Sequence, residues 1–433
     1  MIKRVKNIFL MMCSVFVMNN LFADALKNST YTEEDLVWVE NFDGDKVNSE
    51  DWNFEFHEPG WVNHELQSYG DSAQNTYVKD GMLVIQPLKN GSKYTSGRIN
   101  TQGKHEFMYG RMEARLKVPK GKGFLPAFWM MPADESFYGQ WPKCGEIDIM
   151  EVLGDQINKV YGTLHFGEPH TQKQGTYSLK KGNFADEFHV FAVEWEPAEM
   201  RFYVDGIMFY KVSDWFTKKP GKKEEPYPAP YNQKFYIILN VAVGGDWPGN
   251  PDASTKFGQN AQMVVDYVKV YQKKKYDTKV SKPNGSNVKQ DKGVNLIPAE
   301  GNWSLYAGEK GKGSVEFEGD VIKVITQNAG DKDYSIQLSQ SAIALVKGNN
   351  YRFSFDAYAE DARKIVTAIS GPDNNYVRYL ADKPISLTKK KQTFSFTFQM
   401  SGKTDENARI EFNMGNMGST ATVYISNVKL EKM

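Results

Sequence analysis

A chain of 433 residues is long enough for two domains, each burying a core of its own. Its 53 basic residues balance 53 acidic ones, so charge gives no reason to expect nucleic acid, acidic lipid or a heavily sulfated polymer, and a neutral ligand fits better. The 13% of aromatic residues, among them 9 Trp and 23 Tyr, supply flat faces with polar edges that suit stacking on sugar rings as well as core packing.

At the N-terminus, Lys3, Arg4 and Lys6 precede an apolar stretch over residues 8–17, and Ala23-Asp24-Ala25 has the small-x-small form of a signal-peptidase site. Residues 1–25 are therefore expected to be a signal peptide, and the mature protein to be secreted or extracytoplasmic. Cys13 lies in the apolar stretch, but Leu10-Met11-Met12 before it lacks the small residues of a lipoprotein site, which argues for a soluble form. Cys144 then remains alone, so no intramolecular disulfide is expected. No later apolar run approaches the roughly 20 residues of a membrane span.

From residue 36 to 271 short β-branched and aromatic runs alternate with turn residues, the pattern of an all-β sandwich. Strands are predicted over residues 82–85, 111–118, 201–204 and 235–239. Asp205-Gly206 ahead of Ile207 predicts a tight hairpin.

The densest chemistry sits at residues 145–151, Gly-Glu-Ile-Asp-Ile-Met-Glu. Side chains alternate along a strand, so Glu146 and Asp148 share a face while Glu151, five positions on, points the other way. One extra residue at Ile149 or Met150, a β-bulge, returns Glu151 to the same side. Cleaving a glycosidic bond takes one carboxylic acid and one ionised carboxylate, and Glu146 and Glu151 suit these roles with Asp148 in support. Like charges this close raise the affinity for a proton, as a general acid requires. Cys144 shares strand parity with Glu146, but no local base would activate it, so buried packing is expected. Six His without metal-like spacing argue against a catalytic zinc.

Residues 272–294 are rich in Lys, Pro, Asn, Gly and Ser and are read as a flexible linker. Alternating patterns resume around residues 351–356, 394–398 and 410–414, which predicts a second, smaller β-sandwich over 295–433 with a binding or supporting role.

The run at 145–151 resembles the signature of glycoside hydrolase family 16 in its laminarinase-like form, which carries the extra residue. Residues 63–67, 96–99, 109–115, 126–130, 162–165 and 243–249 extend the resemblance over most of 36–271. It implies a concave β-jelly-roll sandwich as catalytic domain, with Glu146 as nucleophile, Glu151 as acid/base, Asp148 tuning the nucleophile, and retention of configuration. By the same resemblance Asn63, Arg98, Trp129, Trp141, His165 and Trp247 line the cleft, and Glu40, Gly81 and Asp266 hold a structural Ca2+ on the convex side; no cofactor is needed for catalysis. Two departures stand out, Leu125 where relatives usually carry Trp and His64 where they usually carry Asn.

The part from 295 onward is similar to carbohydrate-binding modules of the family 4 and 9 group, with Trp303, Tyr306, Tyr334, Tyr376 and Tyr379 as candidate stacking residues. These resemblances imply a secreted, monomeric endo-β-glucanase acting on β-1,3-glucan or mixed β-1,3/1,4-glucan. The other readings are a non-catalytic glucan lectin on the same fold, which the intact trio disfavours, and a hydrolase for another polysaccharide such as agar or carrageenan.

Overall fold

A computed structural model describes residues 26, 28–219, 221–282, 290–297 and 303–433. The expected signal peptide lies outside the described residues. Among these residues the regular structure is strand with a few three-residue 3-10 turns, and no helix is long and apolar enough to cross a membrane.

The chain divides into two compact units, one centred on two eight-stranded sheets and the other on two five-stranded sheets. One eight-stranded sheet runs in the order Thr171–Ser178, Lys159–Phe166, Glu146–Glu151, Phe124–Pro132, Phe235–Val243, Arg98–Asn100, Asn53–Phe54, with Glu106–Phe107 also paired to Phe235–Val243. This is the sheet that carries the three acids. The second sheet runs Ile207–Val212, Met200–Val204, His189–Trp195, Gly110–Lys117, Met263–Tyr271, Met82–Ile85, Thr76–Lys79, with Leu36–Glu40 on Met263–Tyr271.

The predicted strands are all present, and the Asp205-Gly206 turn joins Met200–Val204 to Ile207–Val212 with φ of 49° and 76°, the left-handed pair a tight primed turn needs. Alternation supplies the core: Leu83, Ile85, Met112, Leu116, Phe128, Ile147, Leu164, Ile237 and Leu239 are fully buried, each such side chain contributing about 1.5–3 kcal/mol.

Both ends of the expected linker are tied down. Lys273 Nζ donates to Glu196 at 2.6 Å and Tyr276 bonds the Tyr31 hydroxyl, which fixes residues 272–276 to the first unit. Residues 290–297 belong to the second, where Tyr351 donates to Gln290 at 2.6 Å and Leu296 N donates to Leu430 O at 2.8 Å. The connector is thus shorter than 272–294, because polar residues there find partners that composition does not reveal.

The second unit is the expected smaller sandwich. Its sheets run Trp303–Ala307, Ile336–Leu345, Asp405–Asn413, Arg363–Gly371, Val377–Leu387 and Lys312–Glu318, Val321–Asn328, Val423–Lys432, Asn350–Ala359, Gln392–Gln399. Val324, Leu338, Phe353, Phe355, Ile410 and Phe412 form its centre.

Candidate active site

The strand Glu146–Glu151 starts abruptly because Gly145 precedes it. At φ 87° and with Pro230 Cγ 2.9 Å and Tyr231 Cε1 3.0 Å from where a Cβ would stand, that position admits only glycine without displacement. On one side the strand pairs with Phe124–Pro132, Trp129 opposite Asp148, Phe128 opposite Met150 and Ala127 opposite Glu151, so Ile149 is the extra residue. On the other side Glu146 faces His165, Asp148 faces Thr163 and Glu151 faces Tyr161, with the irregularity again between Asp148 and Glu151. The bulge is therefore real, and it puts Glu146, Asp148 and Glu151 on one face while Ile147, Ile149 and Met150 are all fully buried.

Asp148 is 2% exposed, whereas Glu146 and Glu151 remain partly open to the cleft. Glu146 accepts a bond from the Trp141 indole at 2.6 Å and shares another with Asp148. Burial raises its proton affinity, and the Trp141 and Asp148 bonds and the Arg98 charge oppose that rise. Asp148 is pushed well above the usual carboxylate range by burial and by the charges of Glu146 and Glu151. Glu151 is raised to about 8, by burial first and by Glu146 second. His165 Nε2 stands 3.4 Å from Asp148 Oδ2, and burial, helped by His170, lowers the ring to about 4, so His165 is neutral near pH 7.

Arg98 does not reach freely into the cleft. Its Nε donates to Glu55 Oε2 at 2.6 Å and its guanidinium lies between two indoles, 5.1 Å from the Trp61 ring and 4.7 Å from that of Trp129. Trp129 in turn donates to Asn240 at 2.7 Å. Trp141 is 45% exposed and Trp247 42%; Trp247 meets Tyr161 edge-on at 4.9 Å. Asn63 is exposed at φ 49°, its carbonyl taking the Asp246 N–H at 3.0 Å, and its neighbour His64 bonds the Asp246 carboxylate at 2.9 Å. Leu125 is partly exposed and shares the strand parity of Ala127 and Trp129.

Cys144 is buried among Met131, Tyr236 and Ile238, and burial with the charges of Glu135 and Glu146 pushes its thiol up to about 12, so it is inert packing. Residues that motif reading passed over also belong here: Glu55, His57 and Trp61, stacked at 3.4 Å on His57, together with Tyr69, Asn240 and Tyr161. Glu55, His57, Trp61 and Tyr69 come from a short strand and loops where no periodicity shows, whereas Asn240 and Tyr161 lie in the long strands Phe235–Val243 and Lys159–Phe166.

The other candidate group lies on the second sheet. Leu36–Glu40 and Met82–Ile85 both pair with Met263–Tyr271, the strand of Asp266, Glu40 opposite Val268 and Leu83 opposite Val265, with Gly81 just before Met82. Asp266 also accepts from Arg115 at 2.6 Å, and Glu40 accepts the Phe42 N–H and the Trp52 indole. In the second unit Trp303 is core, Tyr379 donates to Asp405 at 2.6 Å, and Tyr306, Tyr334 and Tyr376 are exposed.

Comparison with known proteins places this geometry in a family. The family model described as glycosyl hydrolases family 16 matches residues 63–269, and one described as a carbohydrate binding domain matches 299–422. A glucan endo-1,3-β-glucosidase A1 of Niallia circulans is 40% identical over 54% of this chain, which spans only 37% of that protein. A β-glucanase of Rhodothermus marinus is 38% identical over 55% of this chain and 85% of its own length. A keratan-sulfate endo-1,4-β-galactosidase of Sphingobacterium multivorum is 28% identical over 86% of this chain and 82% of its own. With the trio on its bulged strand and the Rhodothermus marinus β-glucanase, 38% identical, matched along 85% of its length, the chain belongs to glycosyl hydrolases family 16.

Proposed function

We propose that the chain is a secreted, retaining endo-glycosidase that cleaves β-1,3-glucan or mixed β-1,3/1,4-glucan. The observation that carries this reading is the Ile149 bulge, which aims three carboxylates into a cleft edged by Trp61, Trp141 and Trp247. The one guanidinium described there, Arg98, is already neutralised by Glu55. Such a lining suits a neutral sugar polymer, and two of the relatives are named for β-glucans.

In this mechanism Glu146 attacks the anomeric carbon while Glu151 gives its proton to the departing glycosidic oxygen, leaving a glycosyl ester on Glu146. Glu151, now ionised, takes a proton from water as that water attacks the same carbon, and Glu146 is released with configuration retained. Burial raises the proton affinity of Glu146, and the Trp141 N–H and the Asp148 bond oppose that rise and so favour the ionised form the first step needs. The high proton affinity of Glu151 keeps it an acid at neutral pH.

A structural Ca2+ would be held by oxygens of Glu40, Asp266 and the Gly81 carbonyl, a reading supported by the pairing of Leu36–Glu40 and Met82–Ile85 with the strand of Asp266. The second unit tethers the enzyme to its polymer and so raises local substrate concentration. Incubation with laminarin, barley β-glucan, agarose, carrageenan and keratan sulfate, with sizing of the products, tests the reading. Short oligosaccharides from the first two support it, and no cleavage of either overturns it. The relative named for keratan sulfate, matched through both units, favours a second reading, a galactan hydrolase, which cleavage of keratan sulfate alone would establish.

A further inference from the structure

The two-step chemistry leaves one imidazole at the site unused. His170 lies in the turn after the strand Lys159–Phe166, and its Nε2 is 2.9 Å from Nδ1 of His165. Its ring packs on Trp141, centroids 4.8 Å apart, and Trp141 is the residue that donates to Glu146. On its other side His165 presents Nε2 to Asp148 Oδ2 at 3.4 Å, and that buried oxygen makes no closed hydrogen bond. A chain of four side chains, His170, His165, Asp148 and Glu146, thus runs from the cleft rim to the carboxylate assigned as nucleophile.

Two ring nitrogens 2.9 Å apart need one proton between them, and burial disfavours the charged form of both rings. Each neutral imidazole carries a single N–H, so the choice made between them decides what His165 shows to Asp148. If His165 gives its Nδ1–H to His170, its bare Nε2 faces Asp148 and draws the Asp148 proton away from Glu146. If His170 donates instead, His165 carries its proton on Nε2 and Asp148 Oδ2 gains a donor. The second arrangement satisfies the unpaired oxygen and leaves the bond between Asp148 and Glu146 intact.

We infer that His170 is a positioning residue: by donating Nε2–H to His165 Nδ1 it fixes the tautomer in which His165 Nε2–H faces Asp148, and so keeps the Asp148 proton on the side of Glu146. The inference rests on the reading of Glu146 as nucleophile. The ionisable groups that face this chain are Asp148, Glu146 and Glu151 on the catalytic strand, Arg98 and Glu135, whose charges act on Glu146, the Tyr231 hydroxyl, which donates to His165 O and Glu146 O, and the Lys143–Glu168 pair in the adjoining loops.

The test compares His170→Leu, which keeps bulk without a donor, with His170→Gln, whose amide N–H reaches the same place. For His170→Leu a loss of about tenfold in kcat is expected, with KM within about twofold. The acidic limb of the pH profile should move upward, because Glu146 loses its proton-sharing partner; His170→Gln should recover both. Nitrogen NMR of labelled full-length protein reads the tautomer without any substrate: Nε2–H in the wild type and His170→Gln, a mixture in His170→Leu. Equal behaviour of Leu and Gln variants, or an unchanged His165 tautomer, overturns the proposal. Failure of the glucan assay with the NMR result intact would sink the substrate reading alone.

Discussion

The Trp141 indole N–H meets Glu146 Oε2 at 2.6 Å from a ring that is itself 45% exposed. One side chain therefore serves both as cleft wall and as the donor that favours the ionised form of Glu146. Trp141→Phe keeps a stacking face and removes only the donor. A bond to a charged acceptor is worth about 1.5–3 kcal/mol, so kcat should fall roughly ten- to hundredfold with KM little changed, and the acidic limb should rise because the ionised form has lost a donor. A rise in KM alone would mean that the indole acts only as a platform.

Glu151 sets the alkaline side. Its acid form gives the proton in the first step, and with its proton affinity raised to about 8 activity should be lost as pH climbs through that value. Glu151→Gln should abolish this limb and slow aryl glycosides with poor leaving groups about a hundredfold or more beyond those with good ones. Equal losses for both classes, measured as kcat/KM, would remove Glu151 from the acid role.

Arg98 and Trp247 separate support from contact. Arg98 is 8% exposed, paired with Glu55 and clamped by two indoles, so Arg98→Met leaves the half-buried Glu55 with only Asn100 and His57 and should cost about 1.5–3 kcal/mol of stability. Trp247, 42% exposed, should give a rise of a few-fold to tenfold in KM on Trp247→Ala, the size of about 1 kcal/mol of lost ring contact, with Tm nearly unchanged. Denaturant titrations beside initial rates check both. A stable Arg98→Met protein with only a KM defect would make Arg98 a direct sugar ligand.

The acids were legible because strand parity is strict: three carboxylates with one residue too many demand a bulge, and the pairing of Phe128 with Met150 puts that residue at Ile149. Sequence alone left Ile149 and Met150 equivalent, since both are apolar and both are buried. Glu55 and Trp61 stayed hidden for a different reason. Asn53–Phe54 is a two-residue strand, too short for periodicity, and only its register against Arg98–Asn100 brings Glu55 to an arginine 43 positions away. His170 lay in a turn, where pattern carries no information about which ring nitrogen it meets. The linker was overextended because Lys273 and Gln290 look solvated in sequence but find Glu196 and Tyr351 in the fold.

Stability should also record the buried acids. Asp148 and Glu151 bind protons more tightly folded than unfolded, so between the ordinary carboxylate range and their raised values the native state holds more protons than the unfolded one. By linkage the stability they contribute is fully present below about pH 4 and is lost as pH rises, for Glu151 through about 8. Other carboxylates of the first unit, such as Glu194 held low by Ser29, Arg111 and Arg201 despite burial, act in the opposite sense at acid pH, so a maximum between the two regimes is expected. Glu151→Gln removes the charge that must be desolvated, and should raise Tm at pH 8.5 by about 2–4 °C, the equivalent of about 1 kcal/mol for a unit of this size, with little gain at pH 5. Calorimetry of the two proteins at both pH values decides it: an equal shift at pH 5 and 8.5 would mean that packing, not ionisation, separates them.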